Sequence, residues 1–122
     1  AQRGHSGYMF RQACVQELSA VTGACMMVER RKFEAVGGFD ERFVLCGSDV
    51  EFCLRLLRAG FRNVYTPYAC LRHLESETRR DSPIPEGDFA LSREAYVRYL
   101  AAGDPYYSTN YDYQSLIPRV RP

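Results

Sequence analysis

Apolar residues along this chain come in short groups, each closed by glycine, proline or charge. Val21 to Val28 reads Val-Thr-Gly-Ala-Cys-Met-Met-Val, a run that predicts a buried strand. Glu29 to Val36 predicts a short helix, and Gly37 is suited to the left-handed turn that ends one. Ser48 to Ala59 carries the clearest helical pattern. Val50, Cys53, Leu54 and Leu57 recur at i, i+3, i+4 and i+7, which places them on one buried face. Ser48 and Glu51 have the S-x-x-E spacing of a capping box, Arg55 and Arg58 lie off the apolar stripe, and Gly60 ends the helix. Phe61 to Thr66 alternates as a strand and stops at Pro67, and Tyr68 to His73 reads as another short extended piece.

Residues 74–88 are charged and include Pro83, Pro85 and Gly87, which predicts a loop and a domain boundary. Phe89 to Ala102 predicts a second helix, with Asp88 as its cap, Gly103 as its stop, and Phe89, Tyr96, Val97 and Leu100 as its apolar positions. Five tyrosines lie between positions 99 and 113, in a turn-rich tail expected to pack along a surface. Residues 1–13 are polar and aromatic, and fit a loop or a surface strand. The chain shows no internal repeat and no low-complexity segment.

The 122 residues bound the chain to one small domain with a modest core. Net charge is +1, with 16 basic against 15 acidic residues, so nothing points to nucleic acid or an anionic membrane as a partner. Lys32 is the single lysine, and arginines make up the rest of the basic set. The five cysteines, Cys14, Cys25, Cys46, Cys53 and Cys70, include no C-x-x-C pair, which argues against a zinc site or a disulfide framework. Cys25, Cys53 and Cys70 sit among apolar residues and are expected in the core, in a reducing cytoplasm. No apolar run approaches the roughly 20 residues that a membrane helix needs. The chain opens on Ala1, without a signal-peptide pattern, and reads as a piece of something longer.

Two stretches carry the candidate chemistry. Gly37-Gly38-Phe39-Asp40-Glu41-Arg42-Phe43 is a glycine-punctuated loop that presents adjacent carboxylates. Ser48-Asp49-Val50-Glu51-Phe52-Cys53-Leu54-Arg55 opens a helix with a carboxylate in its first turn. A carboxylate there is held by the backbone yet partly exposed, as a general base requires. Asp49 could equally serve only to complement the helix dipole, a stabilisation of roughly 0.3–1 kcal/mol. Glu51 reads as the capping-box partner.

In order, Thr22-Gly23-Ala24-Cys25, the GGFDERF loop, SDVEFCLRLLRAGF, Val64-Tyr65-Thr66-Pro67 and His73-Leu74-Glu75-Ser76 resemble the second half of bacterial family 2 glycosyltransferases of the GT-A fold. The match spans roughly residues 16–80, and the order of five blocks makes it specific. The resemblance implies an α/β fold, a partial GT-A domain with a mixed sheet and flanking helices over residues 1–80, followed by a helical extension and tyrosine-rich tail over 81–122. It implies transfer of a sugar from a nucleotide-diphospho-sugar donor to a glycan acceptor hydroxyl with inversion, in polysaccharide synthesis. Asp49 takes the place of the catalytic base, Gly38, Phe39, Asp40 and Glu41 that of the acceptor-binding loop, and His73 that of a residue at the metal or diphosphate. The divalent cation, Mn2+ or Mg2+, would be bound mainly by an Asp-x-Asp motif outside this chain, which contains no such motif. Ser48, Glu51 and Leu74 depart from the residues more usual in the family at those places.

The implied location is the cytoplasm, with the parent protein at the cytoplasmic face of a membrane. This chain alone is expected to be inactive. Two rival readings keep the same residues. One is a non-catalytic glycan- or protein-binding module derived from a transferase. The other is a structural piece whose exposed apolar edge promotes a homodimer.

Overall fold

The computed structural model describes residues 8–72, 83–111 and 120. Its regular elements are β1 (Gln16–Leu18), α1 (Arg30–Ala35), α2 (Ser48–Arg58), β2 (Asn63–Tyr65) and α3 (Glu86–Ala102). A 3-10 helix of six residues lies at Tyr8–Ala13 and a single 3-10 turn at Gly23–Cys25. The chain is thus α/β, but among the described residues the sheet is one antiparallel pair rather than the mixed sheet expected. Gln16 faces Tyr65, Glu17 faces Val64 and Leu18 faces Asn63.

α2 is the centre of the fold. Phe52 is 0% exposed, and Cys53, Leu54 and Leu56 are buried beside it. The ring of Phe52 meets Phe33 of α1 at 5.4 Å and Phe39 at 4.8 Å, and those two meet each other edge-on at 5.6 Å. Tilted and edge-to-face arrangements suit the ring quadrupole and add to the area buried. The buried face is therefore wider than the predicted stripe, with Val50 and Leu57 only half-buried at its margins. Asn63 is buried between layers, where its amide donates to the carbonyls of Ser19 and Cys53 at 2.9 and 3.0 Å.

A buried polar network ties α1 and the following loop to α2. Arg55 donates from Nε to both oxygens of Glu51, at 2.7 and 2.8 Å, and from its terminal nitrogens to the carbonyls of Val36 and Gly38. The planar fork of arginine makes this possible, because its donors point in fixed divergent directions. Gly37 ends α1 as predicted, at φ +82°. Gly38 is needed as well: its φ is +72°, and a Cβ there would lie 3.0 Å from the Phe33 ring.

α3 departs most from the predicted pattern. It starts at Glu86, with Pro85 as its N-cap, rather than after Asp88. Phe89, Val97 and Leu100, three of its apolar positions, are 52%, 58% and 74% exposed, whereas Asp88 is 1% exposed. The Asp88 carboxylate caps another segment: it accepts the N–H groups of Val44, Leu45 and Cys46 at 3.0, 2.8 and 2.9 Å. These bonds, from Val44 and Cys46 above all, hold its carboxyl below the usual carboxylate range. Gly103 ends the helix as expected. Beyond it, the tail folds back over β1: Ser19 Oγ donates to Asp104, and the Tyr106 hydroxyl to Glu17.

Two other expectations are corrected. Val21 to Val28 is not a strand: a 3-10 turn at Gly23–Cys25, with Thr22 Oγ1 accepting the Ala24 N–H, breaks it, and Met27 is 98% exposed. Tyr68–Arg72 is likewise without regular structure. Of the cysteines expected in the core, Cys53 is buried, but Cys25 and Cys70 are exposed, and all five are free thiols. An apolar neighbourhood in sequence did not bury them because no described element packs over the segments that carry them.

Replacing Phe52 by alanine is expected to cost about 3–5 kcal/mol in urea unfolding, whereas Phe89→Ala should stay within about 0.5 kcal/mol. Similar losses at both positions would contradict this account of the core. Because the folded-state pKa of Asp88 is lowered, its contribution is complete above the unfolded value of about 3.9. It is lost as pH falls through the lowered folded value. The thermal midpoint of Asp88→Asn should therefore fall less steeply with acid than that of wild type.

Candidate active site at the start of α2

The loop from Phe43 to Gly47 delivers the chain to α2. Gly47, at φ +96°, is the N-cap, so Ser48 is the first helical residue and not the cap expected. No Cβ fits at Gly47: it would lie 2.5 Å from Ser92 Oγ and 3.0 Å from the Phe43 ring. Nor does Glu51 close a capping box. Its carboxylate turns along the helix to Arg55, with Arg58 3.7 Å away, because a charged partner one turn on outcompetes the backbone N–H.

Asp49 stands in the first turn of α2 and is half-buried. Its Oδ2 accepts the backbone N–H of Gly23 at 2.8 Å, and its Oδ1 accepts that of Val50 at 2.8 Å. Glycine suits this close approach, since a Cβ at position 23 would lie 3.0 Å from Asp49 Cβ. The fold thus brings the Thr22–Cys25 turn and the helix start, 26 residues apart, onto one carboxylate. A carboxylate oriented by two N–H groups and still reachable can accept a proton from a hydroxyl placed against it.

The other candidate residues divide. Gly38 is buried and gives its carbonyl to Arg55, while the Phe39 ring joins the core cluster. Asp40 is half-buried and Glu41 exposed. Arg42 clamps Asp40 through both carboxylate oxygens with three side-chain bonds, the shortest 2.6 Å, and its backbone N–H adds a fourth. These bonds lower the Asp40 pKa to about 2. The hydrogen bonds of Asp49 run to Gly23 and Val50, not to this loop. His73, with Glu75 and Ser76 of the same block, lies outside the described residues.

A cleft of about 720 Å³ opens on the far side of Val50 and Leu54, between β1, the C-terminal half of α3 and the tail. Tyr96, Tyr99, Tyr106 and Tyr107 line it, together with Arg11 and Asp104. The density of tyrosines was its signal in the sequence, but their common wall depends on the tail folding back. The roles of Gly23 and Asp88 were missed. Glycine in Thr-Gly-Ala-Cys hinted at a close approach, while nothing in the pattern marked a buried acid. Among the described residues no three His, Cys, Asp or Glu side chains come together to hold a metal ion. No described helix is long and apolar enough to cross a membrane.

The chain belongs to the glycosyltransferase-like family 2, whose family model matches residues 3–95. That match takes in both candidate loops and the first half of α3. Among curated proteins, the chain is similar to the O-antigen biosynthesis protein RfbC of Myxococcus xanthus, 52% identical over 90 residues, which is 73% of this chain and 7% of that protein. It is 39% identical over 114 residues to the uncharacterized protein y4gI of Sinorhizobium fredii, covering 87% of this chain and 12% of that one. It is 44% identical over 82 residues to the N-acetylglucosaminyl-diphospho-decaprenol L-rhamnosyltransferase of Mycobacterium tuberculosis, covering 66% and 26% respectively. The chain therefore spans from 7% to 26% of the length of these relatives. No solved structure matches it.

Replacing Arg42 by alanine should return the Asp40 carboxyl from about 2 toward the ordinary value of about 3.9, read by NMR titration of the side chain. The sign follows from the lowered pKa. Whatever Asp40 contributes to stability is present above the unfolded value and lost as pH falls through about 2. An unmoved titration would show that the clamp does not hold in solution.

Proposed function

We propose that this chain is the acceptor-side part of an inverting glycosyltransferase of the GT-A fold, acting in cell-surface polysaccharide synthesis, with Asp49 as its general base. The observation that carries the reading is the placement of Asp49, oriented by the Gly23 N–H yet half-buried and reachable. Family membership supports the reaction class. The names of two relatives, one for O-antigen biosynthesis and one for L-rhamnosyl transfer, support sugar transfer in polysaccharide synthesis, and the donor is proposed to be a hexose or deoxyhexose on a nucleoside diphosphate.

In the proposed step, the Asp49 carboxylate takes the proton of an acceptor hydroxyl as that oxygen attacks the anomeric carbon. The new carbon–oxygen bond forms while the bond to the diphosphate oxygen breaks, and the nucleoside diphosphate leaves with the electron pair. Attack opposite the leaving group inverts the anomeric carbon. Gly38, Phe39, Asp40 and Glu41 are proposed to shape the acceptor pocket, and the tyrosine-lined cleft to take a further part of the glycan. His73 is proposed to lie near the diphosphate. A divalent cation, when bound, supplies charge stabilisation to a leaving diphosphate, and its main ligands are proposed outside this chain. The parent protein is proposed to act in the cytoplasm or at the cytoplasmic face of the membrane.

The test is sugar-nucleotide turnover by the full-length parent protein with Mn2+ or Mg2+, wild type beside Asp49→Asn. The expected result is a loss of about a hundredfold or more in the variant. Equal turnover would remove Asp49 from the reaction. A wild type inactive with every donor, yet still binding glycan, would make the chain a binding module instead.

A further inference from the structure

α3 turns a polar edge toward the rest of the molecule. Asp88, Ser92 and Tyr96 are spaced i, i+4 and i+8, and so share one face. That face lies over the loop that launches α2. Asp88, 1% exposed, accepts three consecutive N–H groups, those of Val44, Leu45 and Cys46. One turn on, Ser92 Oγ faces the open side of Gly47, where an added Cβ would lie 2.5 Å from it. Gly47 in turn accepts the first helical bond of α2, from the Glu51 N–H at 3.0 Å. Asp49 stands two residues beyond Gly47. Tyr96 continues the same face: burial pushes its hydroxyl pKa up, a bond with Ser92 opposes the rise, and the charge of Asp49 adds to it.

A buried carboxylate is a demanding anchor, because its desolvation must be met bond for bond. An apolar side chain at position 88 could join α3 to the body without that demand. What the carboxylate adds is direction, since three N–H groups bound to one centre leave the backbone from Val44 to Cys46 a single course. We infer that Asp88, aided by Ser92, is a positioning residue for Asp49, and that α3 is a working part of the catalytic domain rather than an extension beyond it. The inference rests on the reading of Asp49 as the base.

The experiment is a double-mutant cycle in the full-length parent enzyme, with Asp88→Asn, Asp49→Asn and the pair, and with Phe89→Ala as a control on the outer face of α3. Asp88→Asn is expected to lower kcat about tenfold or more, with the donor KM unchanged within about twofold and Phe89→Ala at the wild-type rate. The pair should be no slower than Asp49→Asn alone, because a residue that acts through the base has nothing left to position. Losses that multiply in the pair, or an Asp88→Asn enzyme at the wild-type rate, would overturn the inference while leaving the base in place. An Asp49→Asn enzyme at the wild-type rate would overturn the base reading itself, and the inference with it. If circular dichroism shows that Asp88→Asn does not fold, Ser92→Ala replaces it in the same cycle, judged by the same non-additivity.

Discussion

A single buried carboxylate joins the two ends of this fold. Asp88 belongs to the last helix, yet its hydrogen bonds lie 42 to 44 residues earlier, in the loop before α2. Charge inside a protein is tolerated only where donors surround it, and here three backbone N–H groups do so. The loop gains a fixed course, α3 gains its docking point, and the N-terminus of α2 inherits its position from both. The helix macrodipole favours the same arrangement, since Asp88 also lies in the first turn of α3.

α2 distributes this constraint. Its apolar side holds Phe52 between Phe33 and Phe39, and its polar side sends Arg55 to the carbonyls of Val36 and Gly38. The loop with Asp40 and Glu41 is thereby anchored through residues that are not themselves exposed carboxylates. At the start of the same helix, Asp49 meets the Thr22–Cys25 turn through Gly23. One helix therefore carries the core, the loop anchor and the candidate base, so each is rigid with respect to the others.

Membership in the glycosyltransferase-like family 2 gives that rigidity a purpose. An acceptor hydroxyl must meet its base within hydrogen-bond distance, and a displacement of about 1 Å is enough to cost orders of magnitude in rate. The relatives are much longer than this chain, which spans 7% to 26% of their length.

Local rules were enough for part of this. The helical spacing from Val50 to Leu57, the terminators Gly37, Gly60 and Gly103, and the strand before Pro67 follow from backbone sterics and periodicity, and they stand in the structure. The order of the glycine loop, the helix start and the flanking motifs also made the family legible, because those blocks are contiguous in sequence. Tertiary structure decided what depends on partners far along the chain. Glu51 turned from the helix cap to Arg55 once the loop carbonyls of Val36 and Gly38 drew that arginine inward. The inner face of α3 opens on Asp88, because the surface that meets its first turn is a row of N–H groups, whereas Tyr96 and Tyr99 farther along face the cleft with Val50 and Leu54. Periodicity reports which residues share a face. Only the chemistry of the facing segment determines whether that face is best filled by leucine or by aspartate.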